Sequence, residues 1–186
     1  MLARTALRRR VSREGAVVIG ALALLAACSS PSGNGEPKLG GPIKSSPDIG
    51  TVCLQARPGE AHDFTLGFNI VTNTGPEPAK IGRLELVGPK DLEIEDAWLV
   101  ATSAALGDHS RFPPTREALA ASELDWDQRV AIPGASAESG GRYNLVLHVA
   151  ATSRFPSASG IRFTYTASGE EHQWQTNIGF TVRDPC

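Results

Sequence analysis

Alternation of apolar and polar residues with a period of two constrains the fold of this chain more than any other feature. In residues 64–71 the large apolar side chains occupy every second position, which is typical of a β-strand with one buried face. Turn residues such as those at 73–76 separate such segments. We predict seven or eight strands, at residues 51–57, 64–71, 81–87, 92–100, 129–132, 143–149, 161–165 and 178–182. The chain is therefore expected to be all-β, with two sheets packed as a sandwich.

Residues 102–128 interrupt this pattern, because they are too many for a hairpin turn. Thr115 precedes an Ala- and Leu-rich segment at 116–124, so we predict one short helix with Thr115 as its N-cap. A long connection on a sandwich is either a crossover between the sheets or a binding loop. We favour the crossover and keep the binding loop open.

The first 28 residues have the order of an export signal. Five arginines precede an apolar run at 16–27 that ends in small residues and is too short to span a bilayer comfortably. Leu-Ala-Ala-Cys at 25–28 resembles the lipobox of bacterial lipoproteins. That resemblance implies a diacylglyceryl group on the Cys28 thiol, cleavage before Cys28, and attachment to the outer face of the cell membrane. Arg8, Arg9 and Arg10 leave a twin-arginine export route open.

Composition divides the chain into three parts. Residues 1–27 are expected to be the signal peptide, and residues 28–49, rich in Ser, Gly and Pro, a flexible tether with too few apolar side chains to order it. Residues 50–186 are expected to be the sandwich domain.

Without residues 1–27 the chain has a net charge of −6, and it has no basic cluster, so we predict no nucleic-acid partner.

The chain has three cysteines, of which lipidation would occupy Cys28. Cys53 and Cys186 remain as an even pair in a chain bound for an oxidising compartment, so we predict a disulfide between them. Two free thiols are the alternative. The bridge would join the first and last predicted strands.

The segment from Phe64 to Ala79, followed by Leu-Glu-Leu-Val at 84–87, resembles the strand, Asn-x-Gly turn and strand that open bacterial immunoglobulin-like domains. Residues 165–169 and the terminal Cys186 are similar to small uncharacterised lipoproteins of high-GC Gram-positive bacteria. The resemblance covers residues 51–186 and implies an immunoglobulin-like sandwich. It departs from antibody domains, where the cysteine pair links the two sheets with a tryptophan between, and it implies no activity.

The residues that could carry chemistry are dispersed. We find no nucleophile elbow, zinc-protease helix, phosphate loop or dinucleotide motif, and we predict no catalytic residue, no metal site and no cofactor. His148 is expected to be solvent-facing or hydrogen-bonded. Glu123, Asp125 and Asp127 are expected to form a solvated loop face rather than a calcium site. Trp126, in the long connection, is either a contact for a partner or a core residue.

Three functions stay open. We favour a lipid-anchored, non-enzymatic envelope protein with a binding or structural domain and an envelope protein as partner. A metal or small-ligand carrier would require His62, His109 or His172 to converge. A hydrolase would require a Ser-His-acid group assembled from distant positions.

Overall fold

Strands dominate the computed structural model, which describes residues 36–46, 49–55, 62–152 and 155–186. The strands are β1 (Lys38–Leu39), β2 (Ile43–Ser46), β3 (Ile49–Gln55), β4 (His62–Asn73), β5 (Ala79–Val87), β6 (Leu92–Ala101), β7 (Gly107–His109), β8 (Val130–Ala131), β9 (Ser136–Ala137), β10 (Arg142–Ala151), β11 (Ser157–Ala158), β12 (Gly160–Ala167), β13 (Glu170–Gln175) and β14 (Asn177–Arg183). The helices are α1 (Arg116–Ala121) and a 3-10 helix (Trp126–Gln128).

The strands form three sheets around one core. A six-stranded sheet has the order β2-β4-β10-β6-β8, with β7 also paired to β4. A five-stranded sheet has the order β1-β13-β12-β5-β9, and a three-stranded sheet the order β11-β14-β3. Residues of all three sheets, such as Phe64, Phe163 and Phe180, belong to the same buried cluster. The predicted all-β sandwich is confirmed, and one of its layers is divided into two sheets.

Eight of the described strands have six residues or more. Seven of them overlap predicted strands. The eighth, β13, was not among the predicted segments, because the sequence Glu-Glu-His-Gln-Trp-Gln has no run of apolar residues at alternate positions. The predicted strand at 129–132 is reduced to the two residues of β8.

Strand β4 is buried on both faces along much of its length, although its alternation predicted one buried face. Phe64 and Leu66 contribute to the main core, as expected. Thr65 is fully buried as well, and its hydroxyl donates to the Arg111 carbonyl at 2.7 Å. The second face is buried because part of the long connection lies over it.

The domain begins earlier than we predicted. Residues 38–46, which we assigned to the flexible tether, contain β1, parallel to β13, and β2, antiparallel to β4. Ile43 is fully buried in the core. The Tyr165 hydroxyl accepts from the Ile43 N–H at 3.3 Å and donates to the Gly40 carbonyl at 2.6 Å. Local composition suggested a tether, but one buried isoleucine and pairing with two sheets order this segment.

Cys53 and Cys186 form the disulfide that the cysteine count predicted, with a Cα–Cα distance of 5.8 Å. Cys53 lies in β3, and β3 pairs in parallel with β14 from Ile49 to Gln55. The first and last long strands therefore lie side by side. Cys28 lies outside the described residues.

The long connection covers one face of the six-stranded sheet. The connection at residues 102–128 leaves β6 and leads into β8, which pairs with β6 in the same sheet, so the crossover interpretation is wrong. The chain reaches the other layer after this connection, through β9, where Ala137 pairs with Ala79. Gly67 lets β7 approach β4, since a Cβ at this position would lie 2.9 Å from the Gly107 carbonyl oxygen.

The predicted helix is present in this connection. Thr115 is its N-cap, and the Thr115 hydroxyl accepts from the Ala118 N–H at 3.2 Å. The helix ends at Ala121, three residues short of the predicted segment. Across the described part of the chain, no helix has the length and apolar character needed to cross a membrane.

Candidate functional site

An open groove runs along one side of the sandwich, between β5 of the five-stranded sheet and β6 of the six-stranded sheet. It consists of two clefts of about 390 and 460 Å³ that share Arg83, Leu84 and Ile94. The residues of the groove come from β5, from β6, from the turn between them and from the two residues that follow β8: Gly82, Arg83, Leu84, Glu85, Leu86, Pro89, Leu92, Glu93, Ile94, Glu95, Asp96, Ala97, Ile132 and Pro133.

The groove exists because consecutive strands belong to different sheets. After β5, the turn at residues 88–91 takes the chain across to β6. Gly88 and Asp91 adopt positive φ angles of 56° and 51° in this turn. Such angles are strained for most residues and are favoured by Gly and, less strongly, by Asp. The turn thereby places β5 and β6 on opposite sides of the groove.

The floor of the groove is apolar. Leu84, Leu86, Ile94 and Ile132 are half-buried and pack against the main core from the open side of the sandwich. When a partner removes the remaining surface of half-buried aliphatic side chains from water, the free energy falls by about 25 cal/mol per Å² of apolar surface. The floor can therefore contribute to binding.

The rim of the groove is acidic. Glu93 and Glu95 are exposed on β6, and Asp96 follows them. Across the groove, Arg83 forms an ion pair with Glu85 at 3.2 Å, and Glu85 also pairs with Arg162 at 3.2 Å. Glu85, the one carboxylate of β5, is thus matched by arginines, and the carboxylates of β6 give this side its net negative charge.

The predicted contact residue Trp126 lies outside the groove, on the outer face of the six-stranded sheet. Its ring is half-buried and meets Trp98 edge-on, with 5.5 Å between the ring centroids. Phe112 stacks on Trp98 at 5.5 Å, and the Arg129 guanidinium lies 5.0 Å from the centre of the Trp126 ring. Trp126 therefore helps to hold the long connection against the sheet. Its role as a partner contact stays a prediction.

Beneath this connection, His148 is hydrogen-bonded, which is one of the two predicted alternatives. Its Nε2 lies 2.9 Å from Asp63 Oδ1, and its Nδ1 lies 3.7 Å from Asp96 Oδ2. Phe112 stacks on the imidazole with 4.0 Å between centroids. The alternation of β10 placed His148 on the outer face. The two aspartates beside His148 come from β4 and β6. The sequence did not show that these two strands flank β10.

The other histidines do not gather around one point. His109 Nε2 lies 3.2 Å from the Leu106 carbonyl oxygen, and His172 stacks on Tyr165 in the five-stranded sheet. His62 lies at the start of β4 beside the ring of Phe64. Among the described residues, no group of three or more His, Cys, Asp or Glu side chains could hold a metal ion.

The acidic residues near Trp126 have a local structural role. Asp125 caps the 3-10 helix, and its carboxylate accepts from the Asp127 N–H at 3.1 Å and from Gln128 Nε2 at 2.7 Å. The sequence predicted a solvated loop face here, and the cap gives one of the acids a defined partner.

One buried carboxyl group was missed by the sequence analysis. Asp108 in β7 has a pKa raised to about 7, mainly by burial and against a hydrogen bond from the Gly67 backbone. Its Oδ1 is buried and has no hydrogen-bond partner. Nothing in the local sequence marked Asp108, because it is buried by the pairing of β7 with β4.

Comparison with known proteins identifies no family. No protein-family model matches the chain, and no curated protein matches it. Among solved structures, the chain is similar to the VesB protease of Vibrio cholerae, with 9% identity and a TM-score of 0.37 over 75% of this chain, and it spans 31% of that chain. It is also similar to the CooA pilin subunit of enterotoxigenic Escherichia coli, with 12% identity and a TM-score of 0.31 over 76% of this chain and 97% of that chain. TM-scores this low carry no argument about function.

Proposed function

We propose that this chain is a lipid-anchored, extracytoplasmic protein whose sandwich domain binds another protein of the cell envelope and is not an enzyme. The anchor is the lipidated thiol of Cys28, and its support is the lipobox-like sequence at residues 25–28 behind a basic and apolar export signal. The disulfide between Cys53 and Cys186 supports the same location, since such bonds persist in oxidising compartments.

The observation that carries the binding function is the groove between β5 and β6. It combines an apolar floor, represented by Leu84 and Ile94, with the acidic residues Glu93 and Glu95 at its rim. Apolar contact area surrounded by charged groups is typical of a surface that recognises a protein.

The ordering of residues 38–46 bears on where such a domain would act. Lys38, the first residue of β1, is ten positions after Cys28. A fully extended chain spans at most about 3.6 Å per residue, so β1 would lie within roughly 36 Å of the lipidated residue. The domain would therefore meet partners close to the membrane surface.

Membrane fractionation tests the anchor. We expect Cys28→Ala to abolish cleavage and detergent-phase partitioning, because two acyl chains provide most of the membrane affinity. Ser30→Ala is the matched control, since it changes a neighbouring small residue and leaves the lipobox intact. A Cys28→Ala protein that is processed and partitions like the Ser30→Ala protein would show that the anchor is elsewhere.

Site-specific photocrosslinking in intact cells tests the binding function. A photoreactive amino acid at Glu93, on the rim of the groove, is expected to crosslink to a discrete envelope protein. The same amino acid at Glu171, an exposed glutamate in β13, is the control. Equal crosslinking at both positions, or none at Glu93, would contradict a binding function for the groove.

A further inference from the structure

We propose that the groove binds an extended segment of its protein partner as an added β-strand, with apolar side chains on the floor and lysine or arginine side chains against the acidic rim. This inference rests on the proposed function, and it specifies the binding mode and the chemistry of the partner. Three features of the described residues support it: unpaired strand edges, a segment of the chain that already lies across the start of the groove, and the charge of the rim.

The first feature is a pair of strand edges without neighbours. Strand β5 pairs with β12 along one edge, whereas on the other edge β9 covers Ala79 and Lys80. Strand β6 pairs with β10 along one edge, and β8 covers Trp98 and Leu99 on the other. Over residues 82–87 and 92–96, no strand of the described chain pairs with the groove-side edges. Unpaired N–H and C=O groups on such edges are a template for an incoming strand.

The second feature is that residues 130–137 already bridge these two edges at one end of the groove. The Ile132 N–H donates to the Ala97 carbonyl at 2.9 Å, on the β6 side. On the β5 side, the Ile81 N–H donates to the Ala135 carbonyl at 2.8 Å and the Gly134 N–H donates to the Ile81 carbonyl at 3.1 Å. The space between β5 and β6 is therefore wide enough for an extended chain that hydrogen-bonds to both strands. From Ile132 and Pro133 the groove continues toward the turn at residues 88–91.

The length of the groove fits a short strand. Residues 82–87 offer an edge of six residues, which at about 3.3 Å per residue is roughly 20 Å long. The floor residues Leu84 and Leu86 are two positions apart on β5 and therefore lie on the same face. A bound strand with apolar residues at alternate positions would place them over this floor.

The third feature, charge, decides between occupants. Glu93, Glu95 and Asp96 leave the rim net negative, because Glu85 across the groove is matched by Arg83 and Arg162. A second copy of this chain, pairing edge to edge, would bring like charges together, which is destabilising. A partner strand with lysine or arginine facing β6 would instead be attracted and oriented.

Peptide binding to the purified full-length lipoprotein in detergent micelles tests the proposal. Three fluorescent eight-residue peptides are the probes: alternating Lys-Val, alternating Glu-Val, and the Lys-Val peptide with its central valine changed to proline. We expect the Lys-Val peptide to bind about tenfold or more tightly than either of the others. The glutamate peptide loses the charge complementarity, and proline removes a ladder hydrogen bond.

Two charge variants identify the site. Glu93→Lys combined with Glu95→Lys is expected to weaken the Lys-Val peptide by about tenfold and to strengthen the Glu-Val peptide. Glu138→Lys combined with Glu171→Lys changes net charge equally at exposed positions away from the groove and is expected to leave both affinities near wild type. Hydrogen exchange should slow at the backbone amides of residues 82–87 or 92–96 when the Lys-Val peptide binds.

The outcomes separate the binding mode from the function. Equal binding of the proline peptide, or unchanged amide exchange in both edges, would overturn strand addition. If crosslinking at Glu93 still captures an envelope protein, the proposed function stands without this mode. A concentration-dependent dimer that Glu93→Lys abolishes would overturn the proposal in favour of a second copy of the chain. Loss of both peptide binding and crosslinking would overturn both.

Discussion

Replacement of Ile43 by alanine tests whether residues 38–46 belong to the domain. Ile43 is 0% exposed and packs in the main core. The change removes three carbons, which at about 0.8 kcal/mol per buried methylene costs roughly 2.4 kcal/mol. The residual cavity adds to this, and measured Ile→Ala changes in cores span about 2–5 kcal/mol. With a urea m-value of about 2 kcal/mol/M, the unfolding midpoint should fall by roughly 1–2.5 M.

The assay is urea unfolding of residues 29–186 with the disulfide oxidised, followed by far-UV circular dichroism. Leu39→Ala is the matched control, since Leu39 is also aliphatic and lies in β1 but is 82% exposed. It should change the free energy of unfolding by less than about 0.5 kcal/mol. If Ile43→Ala behaved like Leu39→Ala, the segment would be a tether in solution and the argument from burial would be refuted.

Three other predictions concern the disulfide, the buried carboxyl group and the aromatic cluster. Reduction of the Cys53–Cys186 bond, which spans 133 residues, should lower the thermal midpoint while strand content persists, because the chain-entropy model assigns such a bond about 4–5 kcal/mol; an unchanged midpoint would contradict this. The pKa of Asp108 is raised to about 7 in the folded protein, so its folded form retains a proton that the unfolded form loses. Its contribution to stability should therefore fall from about pH 4 to pH 7 and stay constant above, and Asp108→Asn should flatten this decline in denaturation curves measured across that range. Trp126→Ala should destabilise the chain by about 1–3 kcal/mol and alter tryptophan fluorescence, because its ring packs on Trp98, and an unchanged midpoint would show that the ring is free for a partner.

Local sequence patterns were sufficient for most of the strands and for the helix cap. Alternation at 64–71 and 143–149 predicted β4 and β10, because a strand with a buried face needs its large side chains at every second position. Thr115 before an Ala-rich segment predicted the start of α1. The cysteine count predicted the pair Cys53 and Cys186, since parity and compartment do not depend on the fold.

The same local information was misleading where order comes from distant contacts. Residues 38–46 look like a linker by composition, and they are ordered by strands that lie far along the chain, β4 and β13. The length of the long connection predicts a crossover, whereas the strands at its two ends, β6 and β8, pair in one sheet. Burial of Asp108 has the same origin, since β7 pairs with a strand about 40 residues earlier in the chain.

The candidate site shows the same division most clearly. The sequence by itself determined the parts of the groove: the apolar residues of β5 and β6 at alternate positions, the acidic residues between those of β6, and a Gly-Pro turn between the strands. Only the tertiary structure decided that β5 and β6 lie in different sheets and that their facing edges stay unpaired beyond Ile81 and Ala97. The physical reason is that alternation specifies which face of a strand is buried, whereas the neighbours at its edges are set by backbone hydrogen bonds that almost any residue can make.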